Sequence, residues 1–355
     1  MRIETQNKFF DRLHKKAIKE RIPLRVIFEI TYRCNFSCQY CYIPKSYRKI
    51  KELTTEEVFS ILRNLAKEGS FYLGFSGGEP FLRDDFLEIL EFSKRLGFFI
   101  TINTNASLIN KKIARKIVEL GINKVDINLV SLNETIFKKI TKSSAFSKVL
   151  DIIYFLKDKI HLGLKTCITK DNFTQIEDIK KFAKSIGGFL RLDDRLSSCL
   201  DGETSPHKFS IYEKIENLDL SLFLEKKSLI KRKFKAIDIF SCKAGFLQCA
   251  INPAGKIKIC VGIDAPLYSC KKSFKRAWQR LGDFLNSIKI DDRFKCFRCK
   301  LKNFCDWCPA KSYIEHRDFI SCDRESRFFA YQAYKKYYER KNISKNSRCS
   351  SFIRK

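Results

Sequence analysis

The stretch "LRVIFEITYRCNFSCQYC", residues 24–41, decides the fold, because a predicted strand runs directly into three closely spaced cysteines. Cys34, Cys38 and Cys41 follow a C-x3-C-x2-C pattern. Three thiolates from one short loop can ligate three irons of a cubane cluster and leave the fourth iron open to a substrate or cofactor. A structural zinc site would instead use four closed ligands. The spacing therefore predicts an iron–sulfur site after the first strand.

Strand and helix patterns alternate through the first two-thirds of the chain. Apolar, β-branched and aromatic runs predict strands at 24–31, 71–76, 97–103, 124–130, 162–169 and 188–193. Helical periodicity is found at 53–69, 83–97, 110–121, 144–158 and 172–187. The first of these helices has an N-cap candidate, Thr54, followed three residues later by Glu57. Six such units predict an α/β fold, a partial (β/α)6 TIM-like barrel with its chemistry at the carboxyl ends of the strands.

The remaining chain divides by composition. Residues 1–23 are a charged N-terminal extension, and the barrel is expected over 24–236, with a polar helical segment at its end, 209–236. Residues 237–335 are dense in cysteine and weak in strand and helix patterns, which predicts a small domain that depends on metal. Residues 336–355 are a basic tail, expected to be frayed.

The composition and the N-terminal sequence indicate the cellular location of the protein. No apolar run approaches the roughly 20 residues that span a bilayer, and the charged N-terminus lacks the pattern of a signal peptide. We therefore expect a cytoplasmic protein without a membrane partner, in which 15 cysteines indicate metal or redox chemistry. The net charge of +30 is spread along the whole chain and is interpreted as composition and solvated surface, with an acidic partner as the alternative.

A second motif follows the second predicted strand, where "FSGGEP" supplies Gly77, Gly78 and Glu79. Together with the cysteine spacing, and with the aromatic Tyr40 before the last cysteine, it resembles the radical S-adenosylmethionine (SAM) family. The resemblance implies that Tyr40 contributes to the SAM site. It also implies that the GGE motif holds the amino group of SAM, since an ammonium requires carbonyl or carboxylate acceptors. Weaker likenesses are Asn105 in "TINTNAS", where Ala106 replaces the usual Gly, and Ser131 in "NLVSLN" as a contact for the SAM carboxylate.

The family resemblance implies a mechanism as well as a site. A reduced [4Fe-4S] cluster donates an electron to bound SAM, which yields methionine and a 5′-deoxyadenosyl radical that abstracts hydrogen from an unreactive C–H bond. The cofactor carries the chemistry, and the protein orients the reactants and excludes water. No catalytic acid or base is identified in the sequence, and an external electron donor such as flavodoxin or ferredoxin is expected.

The C-terminal cysteines resemble the SPASM extension of peptide-modifying radical SAM enzymes. "KCFRCKLKNFCDWC", residues 295–308, departs from the usual pattern only in having two residues before Cys308. The resemblance implies two auxiliary [4Fe-4S] clusters, and three clusters in all. One would use Cys242, Cys249, Cys260 and Cys308, and the other Cys296, Cys299, Cys305 and Cys322. A zinc site within 296–308 is the alternative, but it leaves the distant cysteines unexplained.

The expected reaction is hydrogen abstraction from a peptide or protein substrate, giving a crosslink or an oxidation. If the substrate is a precursor peptide, its leader could require a separate binding protein or could bind a basic surface of this chain. The sulfatase-maturase reaction is less favoured, because those enzymes carry an Asp directly after the cysteine that corresponds to Cys260, and this chain has Val261 there. One alternative is tetrapyrrole side-chain processing, as in haem or haem d1 synthesis. An alternative of another class is an RNA-binding protein with structural clusters, although no RNA-binding motif is found.

Overall fold

The computed structural model describes residues 2–211 and 239–350, which form two compact units. One unit contains residues 2–211 and Cys242–Ile288, and the other contains residues 239–241 and 289–350. The predicted helical segment 209–236 lies almost wholly outside the described residues. Within the described part, no helix combines the length and the apolar character required to cross a membrane.

Parallel strands and helices alternate in the first unit. The first six strands are β1 Arg25–Thr31, β2 Tyr72–Gly77, β3 Phe99–Thr104, β4 Lys124–Asn128, β5 His161–Cys167 and β6 Phe189–Asp193. The helices are α1 Arg2–Lys19, α2 Thr55–Lys67, α3 Phe86–Arg95, α4 Lys111–Glu119, α5 Glu134–Thr141, α6 Phe146–Leu156 and α7 Ile176–Ser185. The predicted six-unit α/β series is therefore confirmed, with α5 as an additional short helix that the periodicity did not reveal.

The six strands form one face that is apolar and one that is polar. Val26 and Phe28 of β1, and Val125 and Ile127 of β4, are fully buried. The alternate positions of these two strands are polar except for Ile27. Successive side chains of a strand point to opposite faces of the sheet. The helices cover the apolar face, which leaves the polar face to line the interior of the barrel.

The capping of α2 follows the sequence prediction closely. The Thr54 side chain accepts a hydrogen bond from Glu57 N, and the Glu57 side chain accepts one from Thr54 N. This reciprocal capping box satisfies two of the amide donors that an α-helix leaves free at its start.

The sheet continues beyond β1 on the side opposite β2. The strand order is β6-β5-β4-β3-β2-β1-β7-β8-β9, where the last three strands are Gln248–Ile251, Lys256–Lys258 and Tyr268–Ser269. β7 pairs with β1 in parallel, and α8, Phe274–Ser287, follows the three strands. Residues 242–288 consequently belong to the same compact unit as the barrel, so the boundary between units does not coincide with the predicted boundary near residue 237.

The second unit contains the remaining cysteines and two helices, α9 Pro309–His316 and α10 Arg324–Ser350. Asp318 organises the turn between these helices by accepting hydrogen bonds from the backbone N–H groups of Ile320 and Ser321 and from the Ser321 hydroxyl. The helix α10 extends through most of the segment predicted as a frayed tail, up to Ser350.

Candidate functional site

The three N-terminal cysteines lie in one loop at the carboxyl end of β1. Burial raises the pKa of Cys34 to about 11. Burial, together with the neighbouring thiols of Cys41 and Cys34, raises the pKa of Cys38 to about 12. Thiols in this environment keep their protons until a metal replaces them, so loading of a metal group here releases protons. The clustered sulfur donors fit the iron–sulfur site that the sequence predicts.

Backbone hydrogen bonds hold the cysteine loop from several sides. Arg48 donates to Cys34 O at 3.3 Å and to Phe36 O at 3.0 Å. The amides of Ser37 and Gln39 donate to carbonyls at the end of α5, at 3.1 Å and 3.0 Å. Burial raises the pKa of Cys34 and Cys41. The Arg48 cation lies beside both thiols and opposes that rise. Sequence analysis did not identify Arg48, because it lies outside every motif.

The two glycines of the GGE motif allow the cysteine loop to lie against the end of β2. Gly78 N donates to Thr31 O at 2.8 Å, and Glu79 N donates to Arg33 O at 2.8 Å. A Cβ on Gly77 would lie 2.1 Å from Thr31 O, and one on Gly78 would lie 2.0 Å from Arg33 O. Only glycine permits such an approach of two backbones. The close approach thus joins β2 to the residues that directly precede Cys34.

Replacement of Gly78 by Ala is expected to displace the cysteine loop, because the new methyl group would meet a backbone oxygen. We expect a loss of about 1–3 kcal/mol in the free energy of unfolding and a reduced iron content after anaerobic reconstitution. Gly74→Ala is the matched control on the same strand, since its Cβ would meet no atom closer than 3.7 Å. Equal iron content and stability in the two variants would contradict this role of Gly78.

Glu79 joins the ends of β2 and β3. Its carboxylate is fully buried and accepts hydrogen bonds from Asn105 N at 2.7 Å and from the Thr104 hydroxyl at 2.8 Å. Burial raises the pKa of Glu79 to about 7, although these hydrogen bonds oppose the shift. The predicted contact between the GGE motif and the SAM amino group stays a prediction, and a buried carboxylate with this pKa is a suitable acceptor for an ammonium.

The raised pKa of Glu79 makes its contribution to stability depend on pH. The folded pKa, about 7, exceeds the unfolded value, so the stability contribution is complete below pH 4.5 and is lost as the pH rises through 7. Glu79→Gln cannot titrate, and its stability relative to the native chain is expected to rise by about 2–3 kcal/mol from pH 5 to pH 8. Anaerobic urea unfolding without SAM measures this difference. A difference that does not change with pH would contradict the assignment.

Asn105 connects β3 to the cysteine loop. Its side-chain amide donates to Asn35 Oδ1 at 2.9 Å and lies 3.9 Å from Cys34 Sγ. The next residue, Ala106, has a φ of 61°, in the left-handed region that favours glycine. This conformation explains why a glycine suits the position in the motif that "TINTNAS" resembles.

The other two predicted SAM contacts occupy different environments. The Tyr40 hydroxyl accepts a hydrogen bond of 2.6 Å from Asn128 of β4, which orients Tyr40 beneath the cysteine loop. Ser131 is fully buried, and its hydroxyl bonds to Gln175 at 2.6 Å and to the backbone of Asn133. Ser131 therefore has protein partners at the end of β4, and its contact with the SAM carboxylate stays a prediction.

A buried ionic network lies beside the cysteine loop and was not predicted from the sequence. Lys258 Nζ, with no solvent exposure, lies 2.8 Å from Glu29 Oε2 and 2.8 Å from Asp264 Oδ1. The hydroxyls of Tyr32 and Tyr42 donate to Glu29 at 2.9 Å and 2.8 Å. Burial opposes the charge of Lys258, but the two carboxylates raise its pKa. Because its members are far apart in sequence, only the pairing of β1 with β7 and β8 brings them together.

The structure brings four C-terminal thiols into one neighbourhood. Burial, followed by the neighbouring thiols of Cys322 and Cys299, raises the pKa of Cys296 to about 11. Burial also raises the pKa of Cys305 to about 12, with smaller contributions from the thiols of Cys322 and Cys296. These four cysteines are the set predicted for one auxiliary cluster. Cys308 begins α9 in the same unit.

The other predicted set is divided between the units, with Cys242, Cys249 and Cys260 in the first. Cys242 is exposed and Cys260 is half-buried. Cys249 is buried in β7, where burial and the thiol of Cys270 raise its pKa. Within residues 2–211 and 239–350, no three His, Cys, Asp or Glu side chains form a site for a single metal ion. The ligand set of this auxiliary cluster stays a prediction.

Comparison with known proteins identifies related sequences. Residues 28–183 match the family model of the Radical SAM superfamily. Fe-coproporphyrin III synthase of Methanosarcina barkeri is 34% identical over 163 residues, which are 45% of this chain and 41% of that protein. PqqA peptide cyclase of Bradyrhizobium diazoefficiens is 30% identical over 161 residues, which are 44% of this chain and 42% of that protein. The matches thus span about two-fifths of each relative.

A solved structure extends the similarity in fold. Streptococcus suis SuiB, crystallised with its precursor peptide SuiA, superposes with a TM-score of 0.68 at 18% identity. The superposition covers 89% of this chain and 79% of SuiB. The segment that matches the Radical SAM superfamily runs from within β1 to within α7, and it contains the cysteine loop and the GGE motif. The Radical SAM superfamily implies one [4Fe-4S] cluster and SAM. Residues 28–183 are therefore similar to the Radical SAM superfamily over the part of the chain that contains the cysteine loop and the GGE motif.

Proposed function

We propose that the protein cleaves SAM reductively and abstracts hydrogen from a peptide or protein substrate, with a crosslink or an oxidation as the result. The observation that carries the proposal is the loop of Cys34, Cys38 and Cys41, fixed against the GGE motif at the carboxyl end of β1. When bound, the cluster and SAM supply a one-electron cleavage that yields methionine and a 5′-deoxyadenosyl radical. The cysteine loop would hold the cluster. The residues that would contact SAM are Tyr40, Gly77, Gly78, Glu79, Asn105 and Ser131.

The peptide class of substrate is supported by two similarities. PqqA peptide cyclase is a relative over 161 residues of the chain. SuiB, which was crystallised with its precursor peptide, shares the fold over 89% of the chain. A substrate that loses one hydrogen atom to the radical must lose a further electron and a proton to become a crosslinked or oxidised product. Two auxiliary clusters would accept that electron and pass it to an external carrier such as flavodoxin or ferredoxin.

The auxiliary clusters form a SPASM domain in this proposal. Burial, together with neighbouring thiols of the same set, raises the pKa of Cys296, Cys305 and Cys322. This proximity supports the first assignment, which uses Cys296, Cys299, Cys305 and Cys322. The second assignment uses Cys242, Cys249, Cys260 and Cys308. It rests on the sequence pattern alone.

Mass spectrometry of a candidate peptide tests the substrate class. The reconstituted protein, SAM and dithionite are incubated anaerobically with the product of a short reading frame adjacent to the gene. We expect a peptide lighter by two hydrogens and an increase in 5′-deoxyadenosine. An unchanged peptide, together with 5′-deoxyadenosine that a tetrapyrrole stimulates instead, would contradict the peptide assignment.

A second candidate function is tetrapyrrole side-chain processing, which the similarity to Fe-coproporphyrin III synthase favours. The substrate in that case carries several carboxylates on an apolar ring. Addition of iron coproporphyrin III to the same assay distinguishes the two candidates. Under this alternative it would stimulate 5′-deoxyadenosine formation and be consumed, and the peptide would not.

A further inference from the structure

The interior face of the barrel is polar on every strand, unlike the packed apolar interior of a closed barrel. The residues on this face include Glu29, Ser76, Asn103, Asp126, Lys165 and Arg191. Lys165 reaches across β4 to donate to Asn103 Oδ1 on β3, which shows that these strands present one shared surface. This polar surface, the chamber, suits a polar ligand.

Asp126 holds two lysines in the chamber. Lys124 lies 2.8 Å from Asp126 Oδ1, and Lys165 lies 3.5 Å from Asp126 Oδ2. The Asp126 side chain lies across Gly163 of the next strand, where a Cβ would be 2.0 Å from Asp126 Oδ1. The absence of a side chain at Gly163 therefore allows Asp126 to stay between the two lysines.

Arg191 is the cation of the chamber that has no partner among the described residues. It is exposed on β6, and its guanidinium forms no ion pair or hydrogen bond with any residue that the structure describes. Arg191 is the register partner of Lys165 on the adjacent strand, so both side chains point to the same face. Burial and the charge of Arg191 lower the pKa of Lys165. An anion between these two cations would relieve their repulsion.

The cationic pair shares its chamber with the cysteine loop. Cys167, two residues after Lys165 on the same face of β5, interacts electrostatically with Lys165, with Cys38 and with Cys41. The Cys167 thiol is half-buried on this surface. Asp193, the register partner of Cys167, is a third carboxylate of this surface beside Glu29 and Asp126. Glu29 is paired with Lys258, so the three cations Lys124, Lys165 and Arg191 face the two remaining carboxylates.

We propose that Lys165 and Arg191 bind a carboxylate of the peptide substrate, from an acidic residue near the position that is modified. This inference rests on the proposed function and adds the substrate's charge to it. The guanidinium of Arg191 can donate two parallel hydrogen bonds to one carboxylate. SAM also carries a carboxylate, but its predicted contacts lie at the ends of β2, β3 and β4, whereas the pair lies within β5 and β6.

A binding experiment with defined peptides tests the inference. The reconstituted full-length protein, saturated with SAM, is titrated with a fluorescent Glu-rich peptide and with its Gln-for-Glu counterpart. We expect the Glu-rich peptide to bind about tenfold more tightly, and Arg191→Gln to remove most of that preference. Lys112→Gln, which removes one exposed charge from the outer helix α4, is the matched control and should retain the preference.

Two further measurements distinguish the possible sources of the carboxylate. The affinity for SAM should be equal in Arg191→Gln and in the native chain, and a tenfold loss would assign the pair to SAM instead. Equal binding of the Glu-rich and Gln-rich peptides, with tight binding of iron coproporphyrin III that Arg191→Gln abolishes, would overturn the peptide assignment.

Formation of 5′-deoxyadenosine without any peptide is measured in parallel. Its absence in the native protein would reject the proposed function, whatever the peptides bind.

Discussion

Lys258→Met is expected to lower the free energy of unfolding by about 3–5 kcal/mol, because it leaves the buried carboxylate of Glu29 without its cation. Glu29 and Lys258 have no exposed side-chain surface, so solvent cannot replace the lost ion pair. The hydroxyls of Tyr32 and Tyr42 would remain as donors to Glu29, but they carry no compensating charge. Anaerobic chemical unfolding at neutral pH measures the loss.

The strand β8 supplies a matched control for this experiment. Lys256→Met removes the same charge from an exposed position two residues away, and should change stability by less than about 0.5 kcal/mol. Combining Lys258→Met with Glu29→Gln should be less harmful than the sum of the two single changes, since the pair is then removed together. Equal stability of the Lys258 and Lys256 variants would reject the network.

The ionic network also connects the cysteine loop to the strand that precedes Cys260, a proposed ligand of an auxiliary cluster. Tyr32 precedes Cys34 by two residues, Tyr42 follows Cys41, and Lys258 precedes Cys260 by two residues. Loss of Lys258 is therefore expected to loosen the cysteine loop as well as β8. Iron retention during gel filtration should fall in Lys258→Met and stay unchanged in Lys256→Met.

The second large effect is expected in the number of irons that each chain binds. The anaerobically reconstituted native chain should hold about 12 irons in three [4Fe-4S] clusters. Replacement of Cys34, Cys38 and Cys41 together by Ala should reduce the count to about eight, because the auxiliary sites keep their ligands. Replacement of Cys305 alone by Ala should remove an auxiliary cluster and leave the SAM site intact. A native count near four, with zinc present, would contradict the three-cluster proposal.

The strand series and the cysteine loop could be predicted because each depends on residues that are close in sequence. The capping box of Thr54 and Glu57, for example, requires only its own turn of helix. The additional helix α5 was missed because it has eight residues, too few for a distinct period. Its end at Lys142, in a left-handed conformation, is not a residue type that indicates a helix terminus.

The rest of the site depends on tertiary placement. Alternation along β5 predicts two faces, but it does not tell which of them lines the barrel interior, so Lys165 and Cys167 could not be assigned to the chamber. The GG pair was interpreted as space for a ligand. In the structure it also provides space for the backbone of residues 31–33, a contact between strands that no local pattern encodes.

The most direct test of the central claim is the formation of 5′-deoxyadenosine from SAM by the anaerobically reconstituted protein with dithionite. We predict steady formation by the native chain and none by Cys38→Ala, while Lys112→Gln, an exposed change on the outer helix α4, remains active. A native protein that holds its clusters and binds SAM but forms no 5′-deoxyadenosine would contradict the claim that Cys34, Cys38 and Cys41 build a radical SAM site.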